Sequence, residues 1–181
     1  MKHPFRWIAL GVGVVIVVLA AVLAANVDTD PRAEANTSRL LGHRAPALSL
    51  TRFDGTTIKT ADLAGKTVIV NFWNSWCIPC RQELPTLQRW YAAHRNDAGL
   101  VMLGIPRDDP AGAIRSYAKD HGMAWAVAND DGAKQATLDF ATRGQPETFA
   151  ISPNGVIIGS VIGPISTQQL DKMLQYSRGA P

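Results

Sequence analysis

The stretch VIVNFWNSWCIPCRQELP, residues 68–85, decides how the rest of the chain is read. Val68 to Trp73 is an almost unbroken apolar run, the pattern of a strand buried on both faces. From Cys77 onward Leu84, Leu87, Trp90 and Tyr91 recur at helical spacing. Cys77 and Cys80, the only two cysteines, thus fall one helical turn apart where a buried strand gives way to a helix. Such an arrangement suits thiol–disulfide exchange, in which one sulfur attacks a foreign disulfide and the other resolves the mixed intermediate. Cys77, at the helix start, is favoured as thiolate by unpaired N–H groups and the helix dipole. It is expected to be the exposed thiol of the pair, and Cys80 the shielded one.

Outward from this centre the elements alternate. Asp54-Gly55 separates Ala47–Leu50 from Thr57–Lys59 and predicts a short hairpin. Leu100–Ile105 reads as a second buried strand, Pro110–His121 as a helix stopped by Gly122, and Trp125–Val127 as a short third strand. A helix over Gly132–Phe140 follows, then Thr148–Ile151 and Val156–Ile162 as an antiparallel pair around Pro153-Asn154-Gly155, then a helix over Ile165–Tyr176. The order implies an α/β fold, a mixed central sheet flanked by helices on both faces.

Residues 7–25 carry no charged side chain, which is about the length that crosses a hydrocarbon core of roughly 30 Å. Lys2 and Arg6 precede the run and Asp28, Asp30 and Glu34 follow it, so residues 1–6 are expected in the cytoplasm and the rest outside. A cleaved signal peptide would look similar, with Val22 and Ala24 before a cut, but the apolar run is longer than such peptides need. One N-terminal transmembrane helix, a polar linker over 26–39 and a domain over 40–181 are therefore expected. The formal charge of +3 comes from 18 Lys and Arg against 15 Asp and Glu. Removing Lys2 and Arg6 leaves 16 minus 15, or +1, too little for a nucleic-acid surface. The four histidines are scattered without metal spacing, and Arg81 after Cys80 excludes a c-type haem attachment motif. No metal and no cofactor is expected.

Three further features are ambiguous as residues alone. Glu83 lies three residues after Cys80 and would exchange protons with the resolving thiol if it points inward, or be an ordinary solvated carboxylate if it does not. Pro85 removes a helix hydrogen bond and should kink the helix. Gln145-Pro146 leads into a strand, where proline is unremarkable. Arg107-Asp108-Asp109-Pro110 reads as a solvated loop, Trp125 as core, and Trp73 and Trp76 as packing and site-wall residues.

Residues 71–85 resemble the active-site region of membrane-anchored thioredoxin-like thiol-disulfide reductases of the TlpA/ResA/DsbE group, and the likeness runs from about Leu41 to the last helix. It implies a thioredoxin-like fold in which Cys77 attacks, Cys80 resolves and Glu83 carries protons. Pro146 would be a cis-proline beside the cysteines, Gln145 with Trp76 would meet the substrate, and the loop Arg107-Asp108-Asp109-Pro110 would lie on the carboxyl side of the sheet near the site. The position six residues before Cys77, a buried acid in cytosolic thioredoxin, is Asn71 and cannot titrate. The implied partners are a protein disulfide such as that of apocytochrome c and a membrane electron donor of the DsbD/CcdA type. A disulfide oxidase or isomerase, a thiol peroxidase on the related fold, and a membrane-anchored binding module with a structural disulfide remain the alternatives.

Overall fold

A computed structural model describes the backbone of residues 4–26, 38–129 and 132–179, with side chains for all of these except 4–10 and 23–26. The chain divides into two units, residues 1–36 and 37–181. The first contains one helix, α1 (Pro4–Asn26). Among the described residues no helix is long and apolar enough to cross a membrane. The backbone of the expected run 7–25 falls within α1, its side chains at 7–10 and 23–25 lie outside the described residues, and so does most of the linker 26–39.

In the second unit a two-stranded antiparallel sheet, β1 (Ser49–Thr51) and β2 (Thr57–Lys59), precedes the strand β3 (Thr67–Trp73). There follow α2 (Ile78–His94), β4 (Leu100–Pro106), α3 (Ala111–Asp120), β5 (Ala126–Val127) and α4 (Ala133–Asp139). The strands β6 (Glu147–Ile151) and β7 (Ile157–Ile162) and the helix α5 (Thr167–Gly179) complete the unit. Five strands form the central sheet in the order β5-β4-β3-β6-β7. The first three are parallel, and β6 and β7 run antiparallel to their neighbours. The mixed sheet and the alternation of elements follow the sequence reading closely. Helix α2 continues through Pro85, so the proline does not end it.

Strand parity divides the core in two. Successive side chains of a strand point to opposite faces. Val68, Val70 and Phe72 pack with Leu103, Ile105, Phe149 and the α4 residues Ala133 and Ala136 on one face. Ile69 and Trp73 pack on the other with Leu84, Leu87 and Trp90 of α2 and with Leu170, Met173 and Leu174 of α5. Phe72, Phe140 and Phe149 form a three-ring cluster with centroids 5.1–5.8 Å apart, a spacing at which tilted and edge contacts are favourable. On the second face Trp90 Nε1 donates to Asp171 Oδ1 at 2.8 Å, tying α2 to α5. Trp125 is buried in this core, as the sequence suggested.

Gly132 enters α4 at φ +81°, and a Cβ there would lie 2.5 Å from the carbonyl oxygen of Ser49. Gly55 has nearly the same φ, +82°, but open space around it. The left-handed conformation alone costs an L-residue about 1 kcal/mol, and the backbone collision adds to it. Gly132→Ala should therefore lower stability in chemical denaturation by roughly 3 kcal/mol, against about 1 kcal/mol for Gly55→Ala.

Candidate active site

The two cysteines sit where β3 ends and α2 begins, at the carboxyl edge of the parallel strands. Cys77 is the residue capping α2, and its sulfur accepts the N–H of Cys80 at 3.3 Å. Helix starts leave N–H groups unpaired, so this contact uses a donor the helix itself cannot satisfy and would favour negative charge on the Cys77 sulfur. The two sulfurs form a disulfide across a Cα separation of 5.2 Å. The expectation that Cys77 is exposed needs correcting: it is 4% exposed, and Cys80 is 5%. In the disulfide the sulfur of Cys77 is covered by its bond to Cys80 and by the carbonyl oxygen of Gln145, 3.8 Å away. The exposed apolar groups beside it are Ile78 and Trp76, the latter 54% exposed with its Nε1 donating to the carbonyl of Asp108 at 3.3 Å.

Glu83 points inward and is 3% exposed, which removes the reading of a solvated carboxylate. The reason lies in strand parity and register. Asn71 shares the α2 face of β3 with Ile69 and Trp73, and its partners across the sheet are Gly104 on β4 and Thr148 on β6. Asn71 Nδ2 donates to Glu83 Oε1 at 2.9 Å and to Thr148 Oγ1 at 3.0 Å. The other carboxylate oxygen, Oε2, accepts the N–H of Ile165 at 3.0 Å. Burial pushes the Glu83 carboxyl up to about 7, and the bonds from Ile165 and Asn71 hold it down only in part. Asn71 thus seats the titrating acid rather than titrating itself.

Two segments flank the cysteines. The peptide bond between Gln145 and Pro146 is cis, and the Gln145 carbonyl faces the Cys77 sulfur. The loop after β4 is built into the site and is not the solvated segment the sequence suggested. Asp109 is buried, and its Oδ2 accepts the N–H of Ser75 at 2.5 Å. Asn74 Oδ1 accepts the N–H groups of Arg107 (2.9 Å) and Asp108 (3.1 Å). Arg81 Nε donates to the Ser75 carbonyl at 2.6 Å. Cys77, Cys80, Trp76 and the Gln145-Pro146 bond therefore converge, with Glu83 buried behind them on the inner face of α2. Sequence reasoning missed the roles of Asn74, Ser75 and Asp109. Their one sequence signal is position, since loops at the carboxyl ends of parallel strands are where sites form. Among the described residues no group of acidic, histidine or cysteine side chains is arranged to hold a metal ion.

Comparison with known proteins agrees with this geometry. A family model described as the AhpC/TSA family matches residues 41–160. The thiol:disulfide interchange protein DsbE of Pseudomonas fluorescens is 34% identical over 163 residues, covering 88% of this chain and 86% of that protein. The thiol-disulfide oxidoreductase ResA of Bacillus cereus is 30% identical over 135 residues, covering 75% of this chain and 77% of its own. Among solved structures, one described as a DsbE-type thiol:disulfide interchange protein from Chlorobium tepidum superposes with a TM-score of 0.67 at 25% identity, over 76% of this chain and 96% of that one.

The raised Glu83 carboxyl has a consequence for stability. Its folded value, about 7, exceeds the ordinary 4.5, so between these pH values the folded state holds more protons than the unfolded one. Stability is then full below 4.5 and falls as pH rises towards 7, by about 3 kcal/mol in all. Denaturation of the oxidised protein across this range should show that slope, and Glu83→Gln should largely remove it.

Proposed function

This chain belongs to the AhpC/TSA family and is a thiol-disulfide oxidoreductase of the ResA/DsbE type, and from that premise we propose that it reduces protein disulfides outside the cytoplasm while anchored in the membrane. One observation carries the exchange chemistry: a buried carboxyl with a value of about 7 lies one helical turn behind the resolving cysteine. An acid poised near neutrality both accepts and returns a proton efficiently.

In the reduced form the Cys77 thiolate attacks one sulfur of the client disulfide. A Cys77–client bond forms, the client S–S bond breaks, and the released client thiolate takes a proton. Cys80 then loses its proton to the Glu83 carboxylate and attacks the Cys77 sulfur, expelling the second client thiolate, which takes up the proton that Glu83 releases. The client has gained two electrons and two protons, and Cys77 and Cys80 are left as the disulfide. A membrane dithiol donor of the DsbD/CcdA type restores the reduced pair by the same exchange in reverse. The client is a protein whose cysteines must be free for a later bond, of which apocytochrome c before haem attachment is the case we favour. The anchor is supported by the uncharged run 7–25 and the orientation by Lys2 and Arg6 before it with three acids after it.

Trapping tests the chemistry. Cys80→Ser should accumulate a mixed disulfide between Cys77 and its client on non-reducing gels, because the resolving attack is lost, whereas Cys77→Ser should accumulate none. Equal trapping by both variants would show that the roles are misassigned.

Fusion tests the location. A reporter active only outside the cytoplasm, joined after Pro181, should be active and remain with the membrane fraction. Activity of a cytoplasmic reporter at the same junction would reverse the orientation.

A further inference from the structure

The loop leading into β6 is gripped by two charged side chains that the exchange chemistry leaves unused. From one side, Glu147 is buried at the first position of β6, where its Oε2 accepts the N–H groups of Arg143 at 2.8 Å and Gly144 at 3.4 Å. From the other side, Arg107 donates Nη1 to Gln145 Oε1 at 2.5 Å and Nη2 to the Thr142 carbonyl at 3.4 Å. Arg107 belongs to neither of the two ion pairs seen among the described residues. Its guanidinium is half-buried with both terminal nitrogens given to neutral acceptors, an arrangement unlike that of a solubilising surface charge.

The backbone of Arg107 is fixed as firmly as its side chain. Its N–H donates to Asn74 Oδ1 at 2.9 Å and to the Trp73 carbonyl at 3.1 Å. One residue thus joins the loop that precedes Cys77 to the loop that carries Gln145, and between these loops the Gln145 carbonyl stands 3.8 Å from the Cys77 sulfur. A nucleophile must line up with the bond it breaks, and small displacements at that point are costly in rate.

We infer that Arg107, with Glu147 holding the same loop from the other side, is a positioning residue that fixes the offset between the attacking sulfur of Cys77 and the backbone of Gln145, against which an extended client segment carrying the disulfide lies. The role extends the reductase reading above and depends on it. It also confines the effect to clients with a peptide backbone, because a small disulfide has nothing to lay against Gln145.

The experiment compares two oxidants with the reduced protein: a disulfide-linked peptide long enough to lie extended, and bis(2-hydroxyethyl) disulfide, which has no backbone. The quantity read is the ratio of the two second-order rate constants. Arg107→Gln should lower the peptide-to-small-disulfide ratio about tenfold, and Arg107→Lys, which keeps the charge but not the two-pronged grip, should recover only part of it. Gln145→Ala removes the same contact from the far side while keeping the backbone. It should lower the ratio similarly and add little to Arg107→Gln in the double variant. An unchanged ratio in an Arg107→Gln protein that melts like the wild type would overturn the inference. A parallel fall in both rates that Lys fully restores would do so too, since that is a charge effect on the thiolate, and so would additive losses in the double variant. Failure of the unaltered protein to reduce either oxidant would instead overturn the reductase reading.

Discussion

The reactive end of this fold depends on one buried carboxylate, that of Glu83. Its two oxygens are bound by groups from separate parts of the chain, Asn71 on β3 and the N–H of Ile165 ahead of α5, and Asn71 in turn bonds Thr148 on β6. The acid therefore holds α2 against the sheet at the point where the helix presents its cysteines. A buried polar network of this kind is favourable only if its members are satisfied, and here both oxygens have donors while the charge itself is still penalised by desolvation. The same burial that makes Glu83 costly to ionise makes its proton available in the neutral range. Structural tie and proton reservoir are one feature.

How much of this could be read from the chain differs by kind of residue. The sheet was legible because β3 and β4 are nearly unbroken apolar runs and β6 and β7 are separated by Pro153-Asn154-Gly155, so hydrophobic pattern and turn chemistry agreed. The cysteines were legible because Cys77 and Cys80 are alone and one turn apart. Glu83 was not decidable from periodicity, since an inward carboxylate at that helical position requires a donor across the interface, and Asn71 becomes that donor only through strand parity. The burial of Asp109 was illegible for a similar reason: a charged loop reads as solvated unless one knows that a neighbouring loop offers it an N–H, here that of Ser75. The concealment of Cys77 was illegible because its sulfur is bonded to Cys80 and faced by the Gln145 carbonyl, a neighbour 68 positions away in the chain.

The two loops around the cysteines are held mainly by side chains acting on backbone: Asn74 on Arg107 and Asp108, Asp109 on Ser75, Arg81 on Ser75, Glu147 on Arg143 and Gly144. Loops have no ladder to pair their N–H groups, and short polar side chains supply the missing acceptors. The composition around the site, rich in Asn, Ser and Asp, answers this need in backbone hydrogen bonding and serves the chemistry only indirectly.

The antiparallel pairing of β6 with β3 places Phe72 opposite Glu147. The end of one strand thus lies beside the beginning of the other, although 74 positions separate them by number (147 minus 73) when counted from Trp73. Between these two ends lie α3, β5 and α4, and this stretch reaches the strand ends through packed side chains: Ile114 and Trp125 share a core with Trp73 and the cysteines, Tyr117 lies 5.6 Å from the Trp73 ring, and Ala133 and Ala136 pack with Phe72 and Phe149. The crossover is therefore a spacer whose fit matters: because close-packed interiors transmit small changes in volume, repacking α3 or α4 is felt at the strand ends that carry Cys77 and Gln145, far from either helix in number.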